Sequence, residues 1–282
     1  MNEIFSPIIE VSDLLKLSKS ENLVIVDASS GINAKSNYEA KHLEGAIYID
    51  LNSQLAEIKE DFSIGGRHPL PEIERFAETL SNLGISRQSH IIIYDDKNGS
   101  NASARFWWML RSFGHEKVQV LNGGLQEAEK YDYPISSKTE IIIQTELCKV
   151  EKWKLKIAEI SEIEKVSHSE KHLIIDVREE KRYNGETEPI DLIAGHIPGA
   201  INIPFTENLD ENGLFLAPHL LRQKYEKVFG NVEIENIIVH CGSGVTACHT
   251  LLAIAYAKFE IPKLYVGSWS EWSRNYKIIN YH

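Results

Sequence analysis

"VSDLLKLSKSENLVIVDAS" at residues 11–29 and "ISEIEKVSHSEKHLIIDVR" at residues 160–178 align without a gap. Each opens with apolar residues at helical spacing, crosses a polar turn and closes on a short apolar run. Ser12 matches Ser161, and each stands where it can cap a short helix. Residues 23–26 match residues 172–175 as a buried strand, and Asp27 and Asp176 end it.

The register continues through three more blocks. "HLEGAIYID" (42–50) matches "HIPGAINIP" (196–204). "HIIIYDDKNGSNASARFWWML" (90–110) matches "NIIVHCGSGVTACHTLLAIAY" (236–256), and "VQVLNGGLQEA" (118–128) matches "KLYVGSWSEWS" (263–273). This is a tandem duplication. Continuous Ile/Val runs suit strands covered on both faces, and the helical patterns between them make the sheet mainly parallel. The fold class is α/β, with two tandem domains, each a mainly parallel sheet flanked by helices. The first is drawn at 1–135 and the second at 156–282. The linker at 136–155 is too apolar for a free tether and is expected to run, partly extended, across the domain interface.

Bulk properties narrow the function. The chain has 282 residues, a formal net charge of −11 and a pI near 5.5. It has no Lys/Arg run that would mark a nucleic-acid face. No apolar stretch reaches the ~18 residues of a membrane span. The N-terminal "MNEIFSPIIEVSDLLKL" has no signal-peptide pattern. Three cysteines, Cys148, Cys241 and Cys248, are too few and too odd in number for a disulfide scaffold. A cytoplasmic location is expected.

The two copies differ where chemistry is expected. Ligand sites in parallel sheets lie beyond the carboxyl ends of strands. Cys241 lies at such an end, and the first copy has Asp95 there. A carboxylate cannot replace a thiolate nucleophile, so the first domain is read as inactive and as one wall of a site in the second. The Cys241 loop is built to hold an anion. Gly242 and Gly244 let backbone N–H groups turn inward as a nest. The helical pattern of "VTACHTLLAIAYA" (245–257) would direct its N-terminus at the sulfur, and Ser243 and Thr246 add hydroxyls. A cysteine phosphatase needs His-Cys-x5-Arg, but Ala247 holds the arginine position. A thioredoxin-like CxxC is absent. Cys248 is read as a core residue nearly two helical turns beyond Cys241, and Cys148 as a packing or surface thiol.

"CGSGVTA" with its following helix, "GHIPGA" (195–200) echoed at 42–46, "NGGL" (122–125) and "GSWSEW" (267–272) together resemble the two-domain rhodanese family over nearly the whole chain. The loop is similar to that of the 3-mercaptopyruvate sulfurtransferase branch; thiosulfate-preferring members more often carry Arg-Lys after the cysteine. The resemblance implies two rhodanese-like domains and double-displacement sulfur transfer. The donor would be 3-mercaptopyruvate or thiosulfate, the carrier a Cys241 persulfide, and the acceptor cyanide, a small thiol or thioredoxin. It implies no metal or organic cofactor. The rival from another class is a non-catalytic binding or sensory module, which the intact cysteine disfavours.

The resemblance also assigns roles. Cys241 matches the nucleophile, and Gly242, Ser243, Gly244, Val245 and Thr246 match the anion-holding loop. Arg182 matches the arginine that grips the donor. His68 matches the histidine of a Ser-His-Asp relay with Ser243. The relay's acid falls at Asn52, with Asp50 nearby. A second donor-binding arginine has no match in "ETEPIDLIAGH", and Arg67 is the candidate replacement. Asp176 and Arg178 read as loop braces, His196 and its copy His42 as fold residues, and His240 as a loop brace. Trp269 and Trp272 read as packing beside the site, and Trp107 and Trp108 as core and interface.

Overall fold

The fold was determined as a computed structural model, which describes residues 5–17, 20–100 and 102–275. Residues 1–4, 18–19, 101 and 276–282, parts of the stretches and domain ends named above, lie outside the described residues. The chain forms two compact units. The first comprises residues 1–56, 71–154 and 211–215, and the second 57–70, 155–210 and 216–282. Two short segments are therefore exchanged relative to chain order, and most of the 136–155 stretch belongs to the first unit.

In the first unit the strands are β1 (Ile8–Ile9), β2 (Leu23–Asp27), β3 (His42–Leu43), β4 (Ala46–Tyr48), β5 (His90–Tyr94), β6 (Val118–Leu121) and β7 (Ile135–Ser136). Five of them make a parallel sheet ordered β1-β6-β5-β2-β4, while β3 and β7 pair antiparallel. Helix Ala102–Phe113 follows β5 and is buried along nearly its whole length, including Trp107 and Trp108. A helix buried on nearly every side belongs in a core, even with Ser103, Arg105 and Ser112 among its buried residues. Residues 137–156 contain no helix or strand. They are tied to the first unit by Thr145 N–H on Ser81 O and Lys154 N–H on Ser112 O, and Trp153 packs on Phe76 with ring centroids 5.3 Å apart.

The second unit has β8 (Ile157–Ala158), β9 (Leu173–Asp176), β10 (Ile201–Asn202), β11 (Ile237–His240) and β12 (Lys263–Tyr265). All pair parallel, in the order β8-β12-β11-β9-β10. With β1 matched to β8, β2 to β9, β4 to β10, β5 to β11 and β6 to β12, this is the order of the first sheet. The duplication read from sequence is thus a duplication of topology. In both sheets the strand that ends at Asp95 or Cys241 is the central one.

A smaller duplication explains His42 and His196. His196 stacks on Tyr183, centroids 4.0 Å apart, and its Nδ1 lies 2.9 Å from Tyr183 O. His42 stacks on Tyr38 at 4.2 Å, with Nδ1 2.6 Å from Tyr38 O. A pair present in both copies serves the fold.

The serine caps are a correction. Ser12 and Ser161 lie inside helices Val11–Leu17 and Ile160–Val166, and Glu159 is the residue preceding the second helix. Both helices begin two residues earlier than a serine cap requires.

Candidate active site

The site is built on the carboxyl end of β11 in the second unit. Cys241 follows His240 and is only 3% exposed. Its N–H donates to Ser268 Oγ at 3.2 Å. Its carbonyl accepts from Trp269 N–H at 3.0 Å, and the Gly242 carbonyl accepts from Ser270 N–H at 2.9 Å. Helix Ser268–Asn275 thus fixes the carbonyl side of the loop. Helix Ala247–Tyr256 begins at the other end, preceded by Thr246. Among the described residues, the amides of Gly242, Ser243, Val245 and Thr246 have no protein acceptor. Four donors without a protein acceptor in one short loop beside a thiol are the chemistry an anion would require.

The loop's glycines have different reasons. Gly244 has φ +72°, a left-handed conformation, and a Cβ built there would lie 2.5 Å from Val266 O and 2.9 Å from Val266 Cα. Gly244→Ala is expected to destabilise the protein by about 2–3 kcal/mol, read as a lower urea midpoint. Gly242 lacks that backbone requirement; its constraint is space. A Cβ on it would lie 3.0 Å from Arg67 Nη2 and 3.5 Å from Arg182 Nη2. Two guanidinium groups therefore converge on the residue after the thiol.

Buried carboxylates hold both cations from behind. Arg182 Nη2 is 2.7 Å from Glu188 Oε1 and 3.6 Å from Asp191 Oδ2. Arg67 Nη1 donates to Asp191 Oδ1 at 2.8 Å, and Arg274 Nη1 shares that oxygen at 3.2 Å. Burial pushes the Glu188 carboxyl up, but Arg182 and the amides of Asp191 and Ile190 outweigh it and hold it below the ordinary range. His68 Nδ1 lies 2.8 Å from Ser243 Oγ. Asp50 caps the turn Leu51–Gln54, its carboxylate accepting from Ser53 N–H at 2.7 Å, and Asn52 is exposed on that turn.

Beneath the loop, Arg178 and Asp176 are both fully buried and paired, Nη2 to Oδ2 at 2.6 Å. Arg178 also donates to Gly195 O at 2.7 Å and lies 4.9 Å over the Trp269 ring. These two are braces, as read from sequence. His240 is buried with Nδ1 3.2 Å from Cys241 O, and burial lowers its pKa, outweighing the opposite pull of Asp176. Trp269 and Trp272 belong to the second unit's core.

The remaining two cysteines form no disulfide. Cys248 is buried, its Sγ donating to Gly244 O at 3.3 Å. The expected two helical turns between it and Cys241 are not there, because residues 241–246 form the loop and the helix begins at Ala247. Cys148 is partly exposed and accepts from Arg87 Nε at 2.8 Å. Among the described residues, no group of three or more His, Cys, Asp or Glu side chains is arranged to hold a metal ion.

The corresponding loop of the first unit holds its own anion. The Asp95 carboxylate accepts from the amides of Lys97 (2.9 Å), Gly99 (2.8 Å) and Ser103 (3.3 Å) and from Ser103 Oγ (2.6 Å). What the second unit offers to a ligand, the first satisfies internally.

Glu188, Asp191, Ser268, Ser270 and Glu271 were missed from sequence. The available signals were a run of acids, "ETEPID", beside the expected donor arginine and the "GSWSEW" block, quoted for the family without a role for its polar residues.

A central-strand cysteine in an open amide nest, repeated as a sealed nest in a second copy, defines a duplicated rhodanese architecture. The pattern of the rhodanese-like domain matches residues 10–130 and 159–275, and the chain belongs to the rhodanese family. It is 34% identical to the 3-mercaptopyruvate sulfurtransferase of Homo sapiens, over 93% of this chain and 89% of that one. It is 32% identical to the thiosulfate sulfurtransferase of Rattus norvegicus, over 86% of this chain and 80% of that one. The crystal structure of a 3-mercaptopyruvate sulfotransferase from Escherichia coli superposes with a TM-score of 0.78 at 30% identity, covering 95% of this chain and all of that one.

Proposed function

We propose that this protein is a sulfurtransferase that carries sulfur as a persulfide on Cys241, with 3-mercaptopyruvate as its preferred donor. The Cys241 thiolate attacks the donor sulfur. The donor's carbon–sulfur bond breaks, and pyruvate leaves as its enolate and takes up a proton. A thiol acceptor, a small thiol or a thioredoxin-type protein, then attacks the outer sulfur and restores the Cys241 thiolate. Sulfur changes hands without net oxidation, by covalent catalysis with ping-pong kinetics.

The observation that carries this reading is a thiol beside four open amides, with two guanidinium groups over the next residue. The amides suit charge at the sulfur, and the arginines suit charge away from it. In 3-mercaptopyruvate the carboxylate stands apart from the reacting sulfur, whereas in thiosulfate the charged group is bonded to it. Arg67 takes the place of the second arginine that the 183–196 stretch lacks. The Ser243–His68 contact can pass a proton to the leaving group. Three cysteines outside any disulfide support a reducing compartment such as the cytoplasm. Among the described residues, no helix is long and apolar enough to cross a membrane.

The test compares the two donors. With 3-mercaptopyruvate the intact mass should rise by one sulfur atom, and kcat/KM should exceed that for thiosulfate. No gain with either donor would sink the proposal; a larger kcat/KM for thiosulfate would reverse the donor choice. Arg182→Ala and Arg67→Ala should each raise KM for 3-mercaptopyruvate about 10–100-fold, as expected for loss of a charged hydrogen bond. An unchanged KM would remove that arginine from the site.

A further inference from the structure

Arg67 and His68 reach the cysteine loop on an excursion of the chain, residues 57–70, whose ends are joined by Glu57 N–H on Pro69 O at 3.0 Å. The excursion is fastened to helix Ser268–Asn275. Gly65 N–H donates to Glu271 Oε1 at 2.7 Å, and Arg67 N–H donates to Ser270 Oγ at 3.1 Å. Asn275 Nδ2 donates to Ser63 O at 2.7 Å, and the Arg274 guanidinium lies 5.3 Å over the Phe62 ring. Gly66 presses against Gly267 O so closely that no Cβ would fit between them.

The same helix holds the cysteine loop, through the amides of Trp269 and Ser270 on the carbonyls of Cys241 and Gly242. One short helix therefore grips both halves of the site, the loop by its backbone and the excursion by its side chains. Ser270 touches both, its N–H on Gly242 O and its Oγ accepting from Arg67 N–H. Glu271 is nearly buried (8% exposed), and a buried carboxylate is retained only where donors engage it.

We infer that Glu271, with Ser270, is a positioning residue for sulfur transfer: it sets where Arg67 and His68 stand against Cys241, and touches no substrate itself. This rests on the donor-binding reading of Arg67 above. Arg67 is held directly, its own N–H on Ser270 Oγ, so the effect should fall mainly on donor capture. Losing one charged hydrogen bond at Gly65 should raise KM for 3-mercaptopyruvate about 10-fold. The change in kcat should be smaller.

Three measurements on the full chain test this. The first is the Michaelis profile of Glu271→Ala, with Glu271→Gln as the conservative variant, whose amide oxygen can still accept from Gly65. Glu271→Ala should raise KM, and Glu271→Gln should largely restore it. The second is a double-mutant cycle, in which Arg67→Ala with Glu271→Ala should bind donor no worse than Arg67→Ala alone. The third is tryptic cleavage after Lys59 and Arg67, which should quicken in Glu271→Ala and not in Glu271→Gln. Additive effects in the cycle, or unchanged KM and cleavage in Glu271→Ala, overturn the inference. If Glu271→Ala does not fold, Ser270→Ala replaces it in all three, with the same outcomes deciding. Cleavage needs no turnover, so inactivity of the native protein with both donors would overturn the sulfur-transfer reading and leave the fastening role separately measured.

Discussion

Cys241→Ala is expected to lower sulfur release from 3-mercaptopyruvate on the order of 10⁴-fold, the scale on which loss of a nucleophile is felt. Its intact mass should stay constant on incubation with donor. The thiol is the one group in the loop able to form a covalent intermediate; the amides and arginines can only hold what it attacks. Cys148→Ser should keep its mass gain and its kcat, because Cys148 lies in the other unit beside Arg87. A Cys241→Ala protein that still gained sulfur would point to one of the other thiols and refute the assignment.

Asp176→Ala should destabilise the protein by about 3–5 kcal/mol, because it strands a buried guanidinium. Arg178 would retain Gly195 O and Glu188, neither of which replaces the close carboxylate contact. The first copy offers a control. Asp27 occupies the same strand end with no arginine at its side, and burial raises its pKa despite hydrogen bonds from Ser29. Asp176 is also pushed up by burial, but His240 and Arg178 outweigh this and hold it low. The two aspartates therefore respond oppositely to pH. Asp176 contributes stability that is complete above the unfolded value of 3.8 and is lost as pH falls through its lower folded value. Asp27 contributes stability present below 3.8 and lost as pH rises through its raised folded value. Asp27→Asn should thus cost less than about 1 kcal/mol at pH 7, since an amide oxygen can still accept from Ser29. Urea midpoints of both variants at neutral and acid pH check this. Equal losses at neutral pH would refute the contrast.

The strand ends were readable because they repeat. Val11–Ser29 and Ile160–Arg178 show the same spacing of apolar residues, and the parallel sheet they imply recurs in both units. Cys241 was readable because glycine, small polar residues and a helix follow it within one short stretch. The excursion at 57–70 was not readable. Its contacts with Glu271 and Asp191 span 206 and 124 residues, and contacts so distant leave no periodicity in either partner. His68 was found only through resemblance, and Arg67 only because it adjoins His68. Asp191 hides for a simpler reason: in sequence it is one acid among several, and only the fold shows three arginines turned toward it.

The sealed loop of the first unit bears on how the duplicated halves diverged. Asp95 is tethered to the donors it satisfies, so its effective concentration there exceeds that of any dissolved anion. No free sulfur donor can compete for those amides. The first copy has in effect become its own ligand, its loop amides closed on the Asp95 side chain.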